Sequence, residues 1–248
     1  MSNLKTKEEI KIMAKAGRIC AVAMKEVAKN IRPGITTLEL DQIVEKIFEK
    51  YGGQAAFKKV ENYQYTICTT PNDWIVHGIP GNYELKEGDI IGVDLGALLD
   101  GYNSDMAQTF VVGKVAPEIQ SFLDTGEQAL KEAIKQAKVG NRVGDISNTI
   151  QTIIEGAGYS VVKELVGHGV GKILHEDPMI PGRGEKGKGE ELKEGLVIAI
   201  EVIYNRGSAG IVLLDDGWTI ATKDGNLAGL FERTVAITKK GPVVLTSE

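Results

Sequence analysis

The chain has 248 residues, 42% of them hydrophobic and 25% charged, which suits one large or two small globular domains with a continuous core. Lysine and arginine number 29 against 34 aspartates and glutamates, and the resulting net charge of −5 argues against a nucleic-acid binder with a basic face. Two cysteines, a polar opening MSNLKTKEEIK without a signal-peptide core, and no apolar run near the ~18 residues of a membrane span exclude disulfide-built, secreted and membrane-spanning classes, leaving a cytoplasmic protein with no membrane partner.

Apolar residues Ile10, Met13, Ile19, Val22 and Val27 recur at helical spacing, predicting a helix over 6–30 that stops at Pro33-Gly34. A second amphipathic helix is predicted over 36–51, carrying Leu40, Ile43, Val44, Ile47 and Phe48 and closed by Gly52-Gly53. Strands follow at 90–95 and 106–112, then a linker around 113–117. Further helices are predicted over 117–138, stopped by Gly140, and over 143–155, ended by Gly156 and Gly158. The charged, glycine-rich stretch 183–191 reads as a solvated loop, and strands at 196–204 and 233–238 are apolar enough to be buried on both faces.

One unit is written twice. Residues 85–94 read LKEGDIIGVD and residues 192–201 read LKEGLVIAIE, each ending on a carboxylate inside an apolar run. Gly34 to Gly52 and Gly140 to Gly158 have the same separation. The expectation is a single α+β domain over 1–248 whose halves, about 6–114 and 117–240, each run helix, helix, strands and are related by pseudo-twofold symmetry.

Asp94 and Glu201 are those two carboxylates, and an unpaired charge in such a strand would cost several kcal/mol. Asp105 and Glu232 precede the apolar runs MAQTFVV and TVAIT, so both are expected at strand entrances. The three histidines, His77, His168 and His175, fall in the glycine- and proline-flanked runs IVHGIP and GHGVGKILHEDP. The pseudo-twofold would gather all four carboxylates, with His168 near them. Buried ion pairs are the plain alternative, yet Arg233 is the one basic residue directly beside these sites. A pair of divalent cations balances the charge better. Oxygen ligands with one imidazole suit Mn²⁺, Fe²⁺, Co²⁺ or Zn²⁺, and two such ions about 3.5–4 Å apart would serve hydrolysis by activating a bridging water.

The ordered set Asp94, Asp105, His168, Glu201, Glu232 resembles the ligand set of type I methionine aminopeptidases, members of the pita-bread metalloenzyme family. The motifs VHGIP at 76–80, VDLGALLDGYNSDMAQTF at 93–110, GHGVGKILHEDP at 167–178 and DDGWTIATKDG at 215–225 carry the likeness across almost the whole chain. The resemblance implies a pita-bread fold around a central antiparallel sheet, and a metalloaminopeptidase that takes initiator methionine from nascent chains. It implies that Asp105 and Glu232 bridge two metals, that Asp94 completes one site, and that His168 and Glu201 complete the other. Glu201 is the implied proton carrier, and His77 and His175 the residues that position the substrate amide and stabilise the tetrahedral intermediate. Tyr63, Cys68 and Trp218 match the methionine pocket, although an ordinary core role for Trp218 stands beside that reading. Phe57, Val60 and Leu174 align with other pocket positions but depart from the commoner residue types there. Val202 stands where proline is usual and Arg233 where histidine is usual. The resemblance also implies a monomer, with the ribosome as a candidate partner and no direct nucleic-acid contact. The long insertion of type II enzymes and the zinc-binding N-terminal extension of some eukaryotic relatives are not found in this sequence. A proline-directed pita-bread peptidase and a non-catalytic peptide-binding relative are the competing readings.

Overall fold

The computed structural model describes residues 3–247. Helix α1 (Lys7–Asn30) starts where the Thr6 hydroxyl accepts the Glu9 N–H and the Glu9 carboxylate accepts the Thr6 N–H. Thr36 and Glu39 open α2 (Thr37–Tyr51) in the same way, and Gly52 closes it in the left-handed conformation at φ 74°. The short strands β1 (Gln54–Ala55), β2 (Ile67–Pro71) and β3 (Trp74–Val76) follow. Strands β4 (Ile90–Leu99) and β5 (Tyr102–Val111) then form a hairpin through Asp100 and Gly101, both at positive φ. A second helix pair, α3 (Pro117–Gln136) and α4 (Val143–Gly156), opens the other half, with Pro117 in the first helical position. Strands β6 (Ser160–Val161), β7 (Val166–Gly169), β8 (Glu176–Pro181), β9 (Val197–Asn205), β10 (Ile211–Leu213), β11 (Ile220–Thr222), β12 (Ala228–Thr238) and β13 (Gly241–Val244) complete the chain.

The two halves repeat one packing scheme. Helix α1 pairs with α2 and lies on β4 and β5, and α3 pairs with α4 and lies on β9 and β12. The first half buries Ile19, Val27, Leu40, Val44 and Phe48 against Ile91, Val93 and Leu95. The second buries Phe122, Leu130, Ile146 and Ile150 against Ile198, Ile200 and Val202. Backbone ladders among the described residues form antiparallel sheets in the orders β1-β4-β2 with β5 on β4, β10-β11-β3, and β13-β12-β9-β7-β8 with β6 on β9. Among the described residues no helix is long and apolar enough to cross a membrane.

The halves meet where β5 lies beside β12, and threonine hydroxyls replace a ladder along that seam. Thr234 Oγ1 accepts the Asp105 N–H and donates to the Asp105 carbonyl, both at 2.8 Å. Thr109 Oγ1 does the same for the N–H and carbonyl of Leu230, both at 2.9 Å. This reciprocal bonding brings Asp105 of one half against the strand that carries Glu232 of the other. Thr234→Val would strand two buried backbone groups at ~1–3 kcal/mol each, so a loss of about 2–6 kcal/mol is expected. Thermal unfolding should show it as a fall in Tm of ~5–20 °C, and an unchanged Tm would refute the seam's role.

Two expectations are corrected here. Asp105 and Glu232 do not stand at strand entrances: β5 begins at Tyr102 and β12 at Ala228, so both lie inside strands. The strand expected over 106–112 begins earlier, at Tyr102: Tyr102, Asn103 and Ser104 are buried and pair with Leu99, Leu98 and Ala97. The 183–191 stretch is largely exposed but also tied down. Val143 and Gly144 donate their N–H groups to the Glu190 and Lys188 carbonyls, and a Cβ on Gly144 would stand 2.1 Å from the Glu185 oxygen.

Candidate metal centre

Strand register brings the carboxylates to one face. Asp94 pairs with Ala107 and Gly96 with Asp105, so Asp94 and Asp105 are diagonal neighbours on the β4–β5 ladder. A Cβ on Gly96 would lie 3.0 Å from the Phe57 ring and 3.4 Å from Asp105 Oδ1, so a side chain there would crowd the ring beside that carboxylate. Across the seam, Glu201 of β9 stands directly opposite Glu232 of β12. His168 of β7 pairs with Ala199, two residues before Glu201, and so faces the same side. Its Nε2 lies 3.4 Å from Glu201 Oε1 and 3.9 Å from Asp105 Oδ2.

These groups carry charge where water is scarce. Asp105, Glu232 and His168 are 4%, 3% and 8% exposed. Burial, then the charges of Asp105 and Glu201, raises Asp94 far above the ordinary carboxylate range. Burial, then Asp105, does the same to Glu201. Glu232 is raised by burial and by Asp105, Glu201 and Asp94, against a smaller opposing pull from Arg233. Burial pushes Asp105 itself up to about 7 and holds His168 down at about 4, the latter helped by His175.

Arg233 does not neutralise the cluster from within. Strand alternation points its side chain away from the face of Glu232, and its guanidinium donates to the Ala107 carbonyl, the Glu232 carbonyl and Gln108 Oε1. It straps the seam from behind. Val202, the other departure beside a ligand position, is fully buried in the core between β9 and the second helix pair.

The remaining polar geometry fits cations. Asp94 Oδ1 and Glu232 Oε1 are buried without a hydrogen-bond partner. His168 Nδ1 lies 2.9 Å from the Gly169 carbonyl, an arrangement that makes Nδ1–H the donor and turns the Nε2 lone pair toward the carboxylates. A lone pair facing carboxylates is unfavourable until a proton or a metal cation stands between them. Donor atoms of Asp105, His168 and Glu232 all lie within 4.8 Å of one another. The donor set, carboxylates and one imidazole with no thiolate, suits a divalent first-row metal.

This electrostatics sets a pH dependence. Carboxylates raised in the folded state stabilise it at low pH, and that contribution is lost as pH climbs through their folded pKa values. The lowered histidines act oppositely, but only below about pH 6.5, where the unfolded imidazole gains its proton. Metal-free protein should therefore lose thermal stability as pH rises from 6.5 to 8, while added Mn²⁺ or Co²⁺ raises Tm more at pH 8 than at pH 6.5. A metal-induced Tm shift that shrinks with rising pH would contradict the assignment.

A cavity of about 160 Å³ opens beside these groups and is lined by Asp94, Asp105, His168, Glu201 and Glu232 together with His77 and His175. His77 follows β3 at φ 60°, a backbone state uncommon outside glycine. Its neighbour Gly78 explains how the turn is held: the Thr69 N–H donates to the Gly78 carbonyl at 2.9 Å, and a Cβ on Gly78 would come within 2.1 Å of the Thr69 carbonyl oxygen. His175 precedes β8, its ring centroid 4.3 Å from that of His168. His77 and His175 are exposed as residues, yet their rings sit far enough inside the cavity mouth that lost hydration lowers both imidazoles.

The opposite wall is apolar. Phe57, Tyr63, Cys68 and Leu174 are buried in one cluster with Trp218 packed on it, and Val60 stands at the exposed edge. Tyr63 meets Trp218 edge to face with centroids 5.1 Å apart and donates its hydroxyl to the Ile67 carbonyl. Trp218 is half-buried and lines the cavity, which sets it apart from a tryptophan enclosed in the main cores. Sequence reasoning missed Val76 and Leu230, which also line the cavity. Each sits one or two residues from a singled-out position, and no local pattern separates it from core.

Comparison with known proteins agrees with this geometry. Residues 11–239 match the model of metallopeptidase family M24. The chain is 46% identical to methionine aminopeptidase 1 of Bacillus subtilis over 98% of both chains. Its fold superposes on the crystal structure of methionine aminopeptidase from Thermotoga maritima with a TM-score of 0.98 at 41% identity, covering all of both chains. Against prolidase from Pyrococcus furiosus the TM-score is 0.79 at 29% identity, and the match covers 99% of this chain but 65% of that one. End-to-end likeness thus lies with the methionine aminopeptidases rather than with the proline-directed peptidase.

Proposed function

Because the chain belongs to metallopeptidase family M24 and groups there with the methionine aminopeptidases, we propose that it hydrolyses the N-terminal methionine of nascent proteins and peptides. The observation that carries this reading is a buried set of four carboxylates and one imidazole, with unpartnered oxygens, beside an apolar aromatic pocket. Asp94, Asp105, His168, Glu201 and Glu232 would hold two divalent ions, with Asp105 and Glu232 shared between them. Such ions supply a polarised carbonyl and a water acidic enough to attack at neutral pH.

The protein's own groups do the rest. Glu201, raised by burial, accepts the attacking water's proton on its carboxylate and returns it to the departing amide nitrogen. His77 and His175, both lowered, are neutral at pH 7 and keep one ring N–H each to donate to the substrate amide and to its developing oxyanion. Phe57, Tyr63, Cys68, Leu174 and Trp218 receive the unbranched thioether, whose sulfur packs favourably on aromatic edges. The free α-amino group of the substrate would also bind to the ions that these residues would hold, which limits cleavage to the first residue. The setting we propose is the cytoplasm, with the chain working as a monomer on emerging N-termini and the ribosome as a candidate partner.

The test is cleavage of Met-Ala-Ser, Leu-Ala-Ser, Met-Pro-Ser and Ala-Pro-Ser by protein loaded separately with Mn²⁺ and Co²⁺. Fast methionine release with leucine disfavoured is expected. A preference for Ala-Pro-Ser would overturn the reading in favour of a proline-directed peptidase, and no cleavage with metal bound would leave a binding role.

A further inference from the structure

The loop between β7 and β8 carries two cavity residues, Leu174 and His175, yet its outer part is exposed, with Ile173 68% accessible. Its own backbone supplies one bond, from the Gly171 N–H to the Ile173 carbonyl at 3.1 Å, and the other ties come from outside the loop. Asn103 of β5, two residues before Asp105, donates its backbone N–H to the Gly171 carbonyl at 2.8 Å and its side-chain amide to the Gly171 and Lys172 carbonyls. At the other end, Glu176 Oε1 accepts the Ile173 N–H at 3.2 Å. The second oxygen of Glu176 takes a 2.6 Å ion pair from Lys5 Nζ, with side-chain exposures of 2% for Lys5 and 9% for Glu176.

Lys5 is itself fixed. Its N–H donates to the Gly195 carbonyl at 2.7 Å, and a Cβ on Gly195 would stand 2.7 Å from the Lys5 carbonyl oxygen, so only glycine admits this strand-like arm. A buried lysine so far from the loop in sequence gains little for stability when weighed against its desolvation. Its geometry instead serves orientation. Glu176 adjoins His175, and one carboxylate clamps both the loop's far side and the N-terminal arm. No room remains beside it: a Cβ on Gly171 would lie 2.3 Å from Glu176 Oε1.

We propose that Lys5 is a positioning residue that acts through Glu176 to fix Leu174 and His175, and so sets both turnover and the preference for methionine. This rests on the aminopeptidase reading. Lys5→Met keeps the length of the side chain and removes the charge. In that variant kcat on Met-Ala-Ser, per folded and metal-loaded chain, should fall ~10- to 100-fold, the scale expected when a catalytic group is misplaced by about an ångström. The ratio of Met-Ala-Ser to Leu-Ala-Ser cleavage should narrow, because the Leu174 wall loosens. A loss of folded protein alone would lower both rates together and leave that ratio unchanged.

Glu176→Gln provides the second variant, since it keeps an acceptor for the Ile173 N–H while breaking the ion pair. It should shift the same two readouts, and the double variant should be no worse than the poorer single one. Amide hydrogen exchange at Ile173 should quicken in Lys5→Met, a readout that needs no peptidase activity and so separates this proposal from the proposed function. Wild-type kcat, selectivity and Ile173 exchange in folded Lys5→Met, or in Glu176→Gln should Lys5→Met not fold, would overturn it.

Discussion

Asp105→Asn is expected to abolish peptide cleavage, with kcat/KM down by about 10³-fold or more, and at the same time to stabilise the metal-free protein. The activity loss follows from geometry, because Asp105 lies diagonally from Asp94 and within reach of His168 and Glu232 and is the residue best placed to be shared. A 10³-fold loss corresponds to about 4 kcal/mol of transition-state stabilisation, reasonable for a ligand common to two ions. The stability gain follows from repulsion. Asp105 is the foremost charge raising Asp94, Glu201 and Glu232, so neutralising it without changing its shape relieves all three. Differential scanning calorimetry of chelator-treated protein at pH 8 should show a higher Tm for Asp105→Asn than for wild type, and added Mn²⁺ should raise the variant's Tm far less. A lower metal-free Tm with retained activity would mean that Asp105 is a structural carboxylate.

His77→Ala is expected to keep its metal content while losing turnover by ~10²–10³-fold, the usual cost of removing one donor aimed at developing charge. The lone-pair-bearing Nε2 of His168 already faces the carboxylates, and His77 sits at the cavity rim. His77 already holds the left-handed backbone with a Cβ in place, so alanine there adds little strain, and the loss should fall on kcat rather than on soluble yield. Metal analysis of the purified variant checks the division of labour: lost metal would make His77 a ligand, and near-normal kcat would remove it from the chemistry.

Helices were legible in the sequence because their signals are local. Periodic apolar residues and the breakers Pro33-Gly34 and Gly52-Gly53 mark both helices locally, and the observed bounds of α1 and α2 lie within a residue of those predicted. Helix α3 ends two residues short of the predicted Lys138, at Gln136, where no such breaker stands. The long strands were found by their apolar runs, and β4 and β9 start within a residue of the predicted positions, but β5 and β12 start earlier than predicted, at Tyr102 and Ala228. In β5 the missed residues include Asn103 and Ser104, buried polar residues whose partners are distant. Strands of two to six residues such as β1, β3, β7 and β8 give too little alternation to read.

The same division holds at the site. A carboxylate inside IIGVDLG or LVIAIEV announces an unmet charge, and glycine-flanked histidines announce close approach. That Glu201 faces Glu232 across one rung, and that Thr109 and Thr234 stitch the halves together, depends on long-range register. A threonine in a strand reads as an ordinary β-former, and nothing local distinguishes a hydroxyl that bridges two strands. Arg233 is the instructive case: in sequence it is the lone cation beside the carboxylates, and in the fold alternation sends it to the other face.

The most direct test of the central claim is anomalous diffraction from crystals of the protein grown with Mn²⁺. Two manganese peaks among Asp94, Asp105, His168, Glu201 and Glu232, with the shared oxygens on Asp105 and Glu232, are the predicted result. A single peak would contradict the two-ion arrangement, and an absence of peaks in this cavity at saturating Mn²⁺ would contradict the metal centre itself.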